Sequence, residues 1–222
     1  MRLHEGFNLQ RVRALNVDFY ARDPRRVARE LLGKVVVRRL GRERMAGRIV
    51  EVEAYLGTGD AAAHAAAGLT PRNRVLFGPP GRSYVYFIYG NHYCLNVSCL
   101  PDGVAGGVLF RALEPLAGLR AMARHRGLTG ELTERSKRLL TTGPGRLCEA
   151  MKITRARDNG RDLTLPSSGL WIASDDFCAG QVRTTPRIGI TKAAGHRLRY
   201  ILEGNRFVSR TKNSPSRKRL SA

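Results

Sequence analysis

The feature that most constrains the fold of this chain is a series of short apolar runs joined by brief polar turns. Residues 34–40 (KVVVRRL) and 47–56 (GRIVEVEAYL) predict two strands with a polar turn between them. Residues 84–99 hold a second pair of strand-like runs, separated by the turn signal Gly90-Asn91. The chain is therefore predicted to build an antiparallel sheet from hairpins.

Helical segments flank these strands. The segment RDPRRVARELLG predicts a helix that Asp23 caps, that has Pro24 in its first turn and that ends at Gly33. A second helix is predicted from Pro115 to about Arg126, and TGPGRLCEAM begins a third. Further strands are predicted for the segments GVLFRAL, LWIAS, RIGI and LRYIL. Short strands with hairpin connections and mixed helices together predict an α+β fold.

The length and the composition along the chain predict one domain with basic ends. A chain of 222 residues can bury one sizeable core. Residues 1–16 form a basic lead-in, 17–209 the domain and 210–222 a tail with five basic residues and no acid. We expect the tail to be disordered and to add at most phosphate contacts. Residues 57–83, rich in glycine, proline and small side chains, predict a long functional loop.

The charge balance points to nucleic acid as the partner. Lysine and arginine number 39 against 18 acidic residues, a formal net charge of +21. A protein with this excess gains affinity for nucleic acid because it releases counterions from phosphates. The alternative is a basic protein from an organism with arginine-rich usage, since net charge says nothing about fold.

Other classes of protein are disfavoured. The four cysteines contain no CxxC pair, so neither a zinc site nor a disulfide framework is predicted, and we expect no metal and no cofactor. The longest apolar runs are too short to cross a bilayer, and the first residues lack the apolar core of a secretory signal. We expect a cytoplasmic monomer without a membrane partner, associated with the nucleoid if the source is bacterial.

One strand carries candidate catalytic groups. The alternation in IVEVEAY places Glu51, Glu53 and Tyr55 on one face and apolar residues on the other. The simplest interpretation of any such strand is a solvated acidic face. Carboxylates oppose DNA binding if they lie on the binding face of so basic a protein, however, and general base catalysis is one reason to keep them there. Arg111, on the strand LFRALEP, is either half-exposed or buried and paired with an acid such as Glu51 or Glu53.

Two more groups of residues have open interpretations. His64 lies in a run of small residues that would let the backbone approach a ligand, although a single loop histidine is more often incidental. Arginines in TPRNR and PPGR suit phosphate contacts about as well as they suit solvated loops: Arg72, Arg74 and Arg82.

The tyrosine-rich hairpin has an aromatic residue near its tip. A two-residue turn at Gly90-Asn91 would pair Tyr89 with His92 and leave Tyr89 exposed to solvent. An aromatic side chain in that position can act as a wedge between DNA bases, or it can pack on a neighbouring loop. The same register would place Tyr86 and Asn96 on opposite faces.

The ordered motifs RIVEVEAYLG, DAAAH, TPRNR, YVYFIYGNHYCLN and LFRALEP closely resemble the mammalian-type alkyladenine, or 3-methyladenine, DNA glycosylases, here as a bacterial member. The resemblance runs from about residue 16 to residue 209. It implies a curved antiparallel sheet or open barrel flanked by helices, with a protruding hairpin. It also implies a monofunctional enzyme of base excision repair that flips alkylated or deaminated purines out of duplex DNA and hydrolyses the N-glycosidic bond.

The resemblance also implies roles for individual residues. Glu53 would activate the attacking water, and Arg111 with the backbone carbonyl of Ile188 would help to hold that water. Tyr55 would stack on one side of the flipped base, with His64 and Tyr86 on the other.

Two further roles concern the DNA and the choice of base. Tyr89 would intercalate into the gap that the base leaves, and Asn96 would disfavour guanine by crowding its exocyclic amino group. Cationic lesions such as 3-methyladenine need no acid to leave, whereas hypoxanthine would need protonation by a group that the sequence does not identify. A catalytically silent damaged-DNA binder and an RNA-binding protein remain the alternative hypotheses.

Overall fold

The computed structural model describes residues 7–88 and 90–209. The strands are β1 (Arg13–Ala14), β2 (Val35–Leu40), β3 (Glu43–Tyr55), β4 (Ser83–Ile88), β5 (His92–Ser98), β6 (Gly107–Ala117), β7 (Leu170–Ser174), β8 (Val182–Thr185) and β9 (Arg199–Leu202). The helices are α1 (Val17–Tyr20), α2 (Pro24–Leu31), α3 (Leu119–His125), α4 (Glu134–Leu139), α5 (Pro144–Ala150) and α6 (Arg155–Asp158). Short 3₁₀ turns are Leu9–Arg11, Gly57–Gly59, His64–Ala67, Arg74–Phe77 and Pro166–Ser168. Tyr89 and the basic tail lie outside the described residues.

The boundaries of α2 follow its capping residues, as predicted. The Asp23 side chain accepts a hydrogen bond from the N–H of Arg25, and Pro24 occupies the first turn. Just past the helix, Gly33 has a φ of 87°, in the left-handed region that glycine adopts without strain.

A curled antiparallel sheet forms the centre of the domain, which confirms the α+β prediction. The strand order is β1-β7-β2-β3-β6-β5-β4, and β9 pairs with both β3 and β8. The thirteen-residue strand β3 pairs with β6 along one edge; its other edge pairs first with β2 and then, at Glu51 to Glu53, with β9. The catalytic candidates on β3 therefore lie between β6 and β9.

The register of the tyrosine-rich hairpin differs from the prediction. Ile88 pairs with His92, and Tyr84 pairs with Asn96, so three residues connect the strands instead of two. A shift of one residue exchanges the faces of a strand. As a result Tyr86 and Asn96 lie on the same face of the hairpin, and the predicted two-residue turn is wrong.

Two other predictions about secondary structure are wrong. Pro115 does not open a helix: it lies inside β6, opposite Gly47, where the register with β3 shifts. Proline is tolerated at such an irregularity, and α3 begins only after Gly118. The segment RIGI, 187–190, is not a strand. At least two of its polar groups bind side chains of the site instead of a neighbouring strand.

Apolar side chains cover both faces of the sheet. The larger cluster joins the sheet to α2, α3 and α5, and it includes Leu31, Val52, Phe110, Met122 and Leu147. A smaller cluster lies on the other face of the sheet. It packs against side chains of the predicted lead-in, including Phe7 and Val12. Within the described residues, no helix is long and apolar enough to cross a membrane.

Candidate active site

A cavity of about 570 Å³ lies against the sheet, at the end of β3. The inner face of the β4/β5 hairpin and the first half of β6 form part of its wall. Residues 62–65, 142–146 and 188–190, which include the start of α5, also line it. Its volume is in the range of roughly 300–1,000 Å³ that is usual for small-molecule sites.

Glu53 lies directly behind this wall, and its side chain is fully buried. Its Oε1 accepts a hydrogen bond from the N–H of Ile188 at 2.8 Å and lies 3.2 Å from a terminal nitrogen of Arg111. Its Oε2 accepts a hydrogen bond from the Tyr55 hydroxyl at 3.0 Å. All three partners line the cavity. A carboxylate offers about four acceptor positions, so these contacts leave about one unfilled.

Glu51 is buried as well, and it holds the arginines around Glu53. Its Oε1 accepts from the Nε atoms of Arg111, at 3.0 Å, and Arg199, at 2.7 Å. Its Oε2 accepts from the N–H and the hydroxyl of Ser209. Burial alone would raise the pKa of Glu51, but Arg111 and Arg199 hold that pKa below its usual value. The solvated acidic face that one strand pattern suggested is therefore absent at these two residues.

A β-bulge explains how Arg111 meets both carboxylates. Val52 pairs with Phe110 and Glu51 with Ala112, so Arg111 is an extra residue on β6. An extra residue locally bends the strand and changes the direction of its side chain. The bulged Arg111 contacts Glu51 through Nε and Glu53 through a terminal nitrogen, and it is the buried, paired arginine of the two alternatives.

Aromatic rings form one wall of the cavity. The His64 ring lies edge-on to Tyr86, with 4.5 Å between the centroids, and its Nδ1 is 2.9 Å from the hydroxyl of Tyr84. Burial, and then the nearby Arg72, lower the pKa of His64. The lowered pKa favours the neutral form of the ring at neutral pH. Tyr55 lies at the end of β3 and lines the same cavity, so the structure brings all three predicted stacking residues together.

Asn96 lies on the hairpin face that lines the cavity and is 6% exposed. Its amide nitrogen donates to the carbonyl of Tyr84 across the hairpin at 3.1 Å, which fixes the amide group. Cys94, two residues nearer the tip on the same face, also lines the cavity, and burial raises the pKa of its thiol. The corrected register is what places Asn96 and Tyr86 in one cavity.

A buried ion pair supports the cavity from behind. Arg187 binds Asp60 through two nitrogens, at 2.5 and 2.8 Å, and donates to the carbonyl of Ala54 at 3.1 Å. Its guanidinium carbon lies 4.6 Å from the centroid of the Tyr55 ring. Asp60 in turn accepts from two backbone N–H groups of its loop. The pair joins the loop before His64 to the segment that carries Ile188.

The predicted phosphate-binding arginines do not line the cavity. Arg72 and Arg74 are exposed in the loop after His64, and Arg82 forms an ion pair with Asp162 at 3.2 Å. Between the first two, Asn73 is buried and donates to the carbonyls of His64 and Gly68. Asn73 therefore shapes the loop that presents His64.

Sequence reasoning missed several residues that build the site, which are Asp60, Asn73, Arg187, Arg199 and Ser209. Asp60 had a local signal, because an aspartate before a run of small residues often caps a turn. For Arg187, Arg199 and Ser209 the sequence had no signal, since their partners are more than 100 residues away.

Within residues 7–88 and 90–209, no group of three or more His, Cys, Asp or Glu side chains could hold a metal ion. The buried carboxylates of Glu51 and Glu53 instead accept hydrogen bonds from arginine, tyrosine and backbone donors. A family model described as methylpurine-DNA glycosylase (MPG) matches residues 18–206. The chain belongs to the methylpurine-DNA glycosylase family.

Individual proteins are also similar to this chain over most of their length. A protein of Koribacter versatilis is 64% identical over 191 residues, which cover 86% of this chain and 90% of that protein. Proteins of Mesorhizobium japonicum (48% over 187 residues; 84% and 86% covered) and Clostridium acetobutylicum (41% over 198 residues; 86% and 95% covered) are similar too. Each of the three is named "Putative 3-methyladenine DNA glycosylase".

The family assignment confirms the resemblance predicted from the motifs, and with it a DNA glycosylase of DNA repair. All the predicted site residues of the chain lie within the matched range, whereas Ser209 lies just beyond it. The large positive charge is consistent with the DNA substrate that the family implies.

Proposed function

We propose that this member of the family receives a damaged purine, flipped out of duplex DNA, in the 570 Å³ cavity and hydrolyses its N-glycosidic bond. The observation that carries the proposal is the buried Glu53, whose three partners all line an aromatic cavity. A buried carboxylate held by fixed donors beside such a cavity suits acid–base chemistry on a bound base.

Aromatic stacking would hold the base. Tyr55 would pack on one side, and His64 with Tyr86 on the other, since all three rings line the cavity. Stacking contributes roughly 1–3 kcal/mol per base and tolerates different purines. Flipping itself costs a few kcal/mol, and less for a damaged or mismatched base, so it favours lesions. Tyr89 would fill the gap in the duplex.

Glu53 would activate the attacking water through its unfilled acceptor position. Arg111 and the carbonyl of Ile188 would hold that water beside the sugar. The transition state has oxocarbenium character, and the negative charge of Glu53 would stabilise it electrostatically. Alkylated purines such as 3-methyladenine and 7-methylguanine are already cationic leaving groups. Hypoxanthine and ethenoadenine are the neutral substrates that we also propose, and each of these bases must take up a proton as it leaves.

Two further features support the proposed choice of base and the proposed type of cleavage. The fixed amide of Asn96 would crowd the exocyclic amino group of guanine. Among the described residues, no lysine lines the cavity, so no amine there is available for a Schiff base. We therefore propose a monofunctional enzyme that leaves an abasic site. We also propose that it acts on duplex DNA as a monomer.

The test compares release of hypoxanthine from a duplex oligonucleotide by the wild type and by Glu53→Gln. General base catalysis contributes about 10²- to 10⁴-fold, so the variant should lose at least 100-fold in single-turnover rate. It should still bind a duplex that contains an abasic analogue, because glutamine keeps the size of the side chain.

Full activity of Glu53→Gln would contradict the mechanism. If the wild type binds damaged duplex but releases neither hypoxanthine nor 3-methyladenine, the catalytically silent binder is the better hypothesis. A clear preference for single-stranded RNA over lesion-bearing duplex would favour an RNA-binding protein.

A further inference from the structure

A second cavity of about 350 Å³ adjoins the first. Its lining, here called the arginine cleft, comprises Arg135, Arg138, Leu139, Thr142, Arg146 and Ser209. Thr142 and Arg146 line both cavities, so the arginine cleft continues from the wall of the proposed base pocket. It lies between α4 and α5, on a side of the site for which the motifs predicted no DNA contact.

The arginine cleft concentrates positively charged side chains. Of the lining residues that the structure describes, three are arginines and none is a carboxylate. In the part of the chain that the structure describes, neither Arg135 nor Arg146 has an ion-pair partner. Arg126, outside the cleft, pairs with Glu149 at 3.3 Å, but burial and the nearby charge of Arg146 still lower its pKa. An anionic ligand in the cleft would stabilise the charges of Arg135 and Arg146.

The walls of the arginine cleft are tied to the catalytic strands. The Thr142 hydroxyl makes short contacts with the carbonyls of Arg138, at 2.6 Å, and Phe207, at 3.0 Å. The N–H of Gly143 donates to the carbonyl of Arg111. Ser209 binds Glu51 through both its N–H and its hydroxyl. Thr142, Gly143 and Ser209 are therefore held in a fixed position relative to the buried carboxylates.

We propose that the arginine cleft binds backbone phosphodiesters of the DNA strand that carries the flipped nucleotide. A nucleotide in the base pocket remains attached to its strand, so its neighbouring phosphates must pass close to the pocket. Guanidinium groups bind phosphate oxygens in a planar, two-point geometry that suits this task. The proposal rests on the proposed function, because it assumes that the first cavity takes a nucleotide of DNA.

The first test measures the salt dependence of binding to a duplex with an abasic analogue. The double variant Arg135→Gln/Arg146→Gln removes two charges from exposed side chains. Each lost phosphate contact should reduce the slope of log K against log salt by about 0.9. Between about 50 and 200 mM salt, the wild type should therefore lose about 12-fold more affinity than the double variant.

Arg42→Gln is the matched control. Arg42 is an exposed arginine in the turn before β3, at the opposite end of that strand from Glu53. The control should keep the wild-type slope. Thermal unfolding of both variants should stay close to that of the wild type, since substitutions at exposed positions change stability by about 0.5 kcal/mol. A double-variant slope equal to that of Arg42→Gln would overturn the proposal.

The second test identifies the ligand by removing charge from the DNA. Neutral methylphosphonates replace single phosphates on either side of the abasic analogue. At one or two positions the wild type should lose affinity while the double variant loses none, because the contact is already absent. Equal losses for both proteins at every position would refute the proposal. Neither test involves base release, so a failure of the proposed chemistry gives a separate result.

Discussion

The buried pair of Asp60 and Arg187 provides the sharpest test of how the site is held together. The side chain of Asp60 is 1% exposed and that of Arg187 is 0% exposed. Asp60→Asn keeps the shape of the side chain but leaves the Arg187 charge buried without its partner. Removing one partner of a buried pair costs about 3–5 kcal/mol. For a chain of this size each kcal/mol lowers Tm by about 2–4 °C, so we expect a decrease of about 6–20 °C.

Thermal and urea unfolding at pH 7 measure this loss, with Glu203→Gln as the control. Glu203 and Arg183 form a longer pair, at 3.7 Å, with both side chains about half exposed. An exposed pair contributes at most about 1 kcal/mol. If Asp60→Asn loses no more stability than Glu203→Gln, the buried pair does not support the site as argued.

The same pair predicts a dependence on pH. Burial would raise the pKa of Asp60, but hydrogen bonds from Arg187 and from backbone N–H groups hold that pKa below its ordinary value. A carboxyl group whose pKa is lowered by folding stabilises the folded state above its unfolded pKa of about 3.9. The stability difference between the wild type and Asp60→Asn should therefore be constant near neutrality and shrink below about pH 4. A difference that stays constant down to pH 2 would contradict this origin.

Three further predictions concern the cavity. Tyr55→Phe keeps the stacking ring but removes the hydroxyl that binds Glu53. Single-turnover base release should slow by about tenfold or more, since a hydrogen bond to a charged group contributes about 1.5–3 kcal/mol. An unchanged rate would remove this contact from the mechanism. In Gly57→Ala the new Cβ would lie 2.0 Å from the carbonyl oxygen of Ala105, and the residue would have a φ of 87°. Urea unfolding should show that the free energy of unfolding falls by more than about 2 kcal/mol. Gly59→Ala is the control, because its Cβ meets open space and should lower that free energy by about 0.5 kcal/mol or less. Asn96→Ser should raise guanine release relative to hypoxanthine release by about 10- to 200-fold, and an unchanged ratio in a competition assay would exclude Asn96 as the discriminating residue.

Local sequence patterns predicted those parts of the fold that depend on neighbouring residues. Asp23, Pro24 and Gly33 define α2 through contacts within a few positions, and the structure has the helix there. The face of β3 that carries Glu53 followed from simple alternation. Predictions that needed a register failed: the hairpin around Gly90 is shifted by one residue, because the length of a turn is decided by the strands that it joins.

The residues of the site also divide into those that the sequence predicts and those that only the structure shows. The sequence by itself determined the electrostatic character of the protein, the strand with the paired carboxylates and, through its ordered motifs, the family. Only the tertiary structure decided which arginine pairs with which acid: Arg187 meets Asp60 across 127 positions, and Ser209 meets Glu51 across 158. Buried charges must be paired, but many arginines could satisfy the same acid. The choice is made by the bulge at Arg111 and by the packing of β9 beside β3, which depend on the whole sheet.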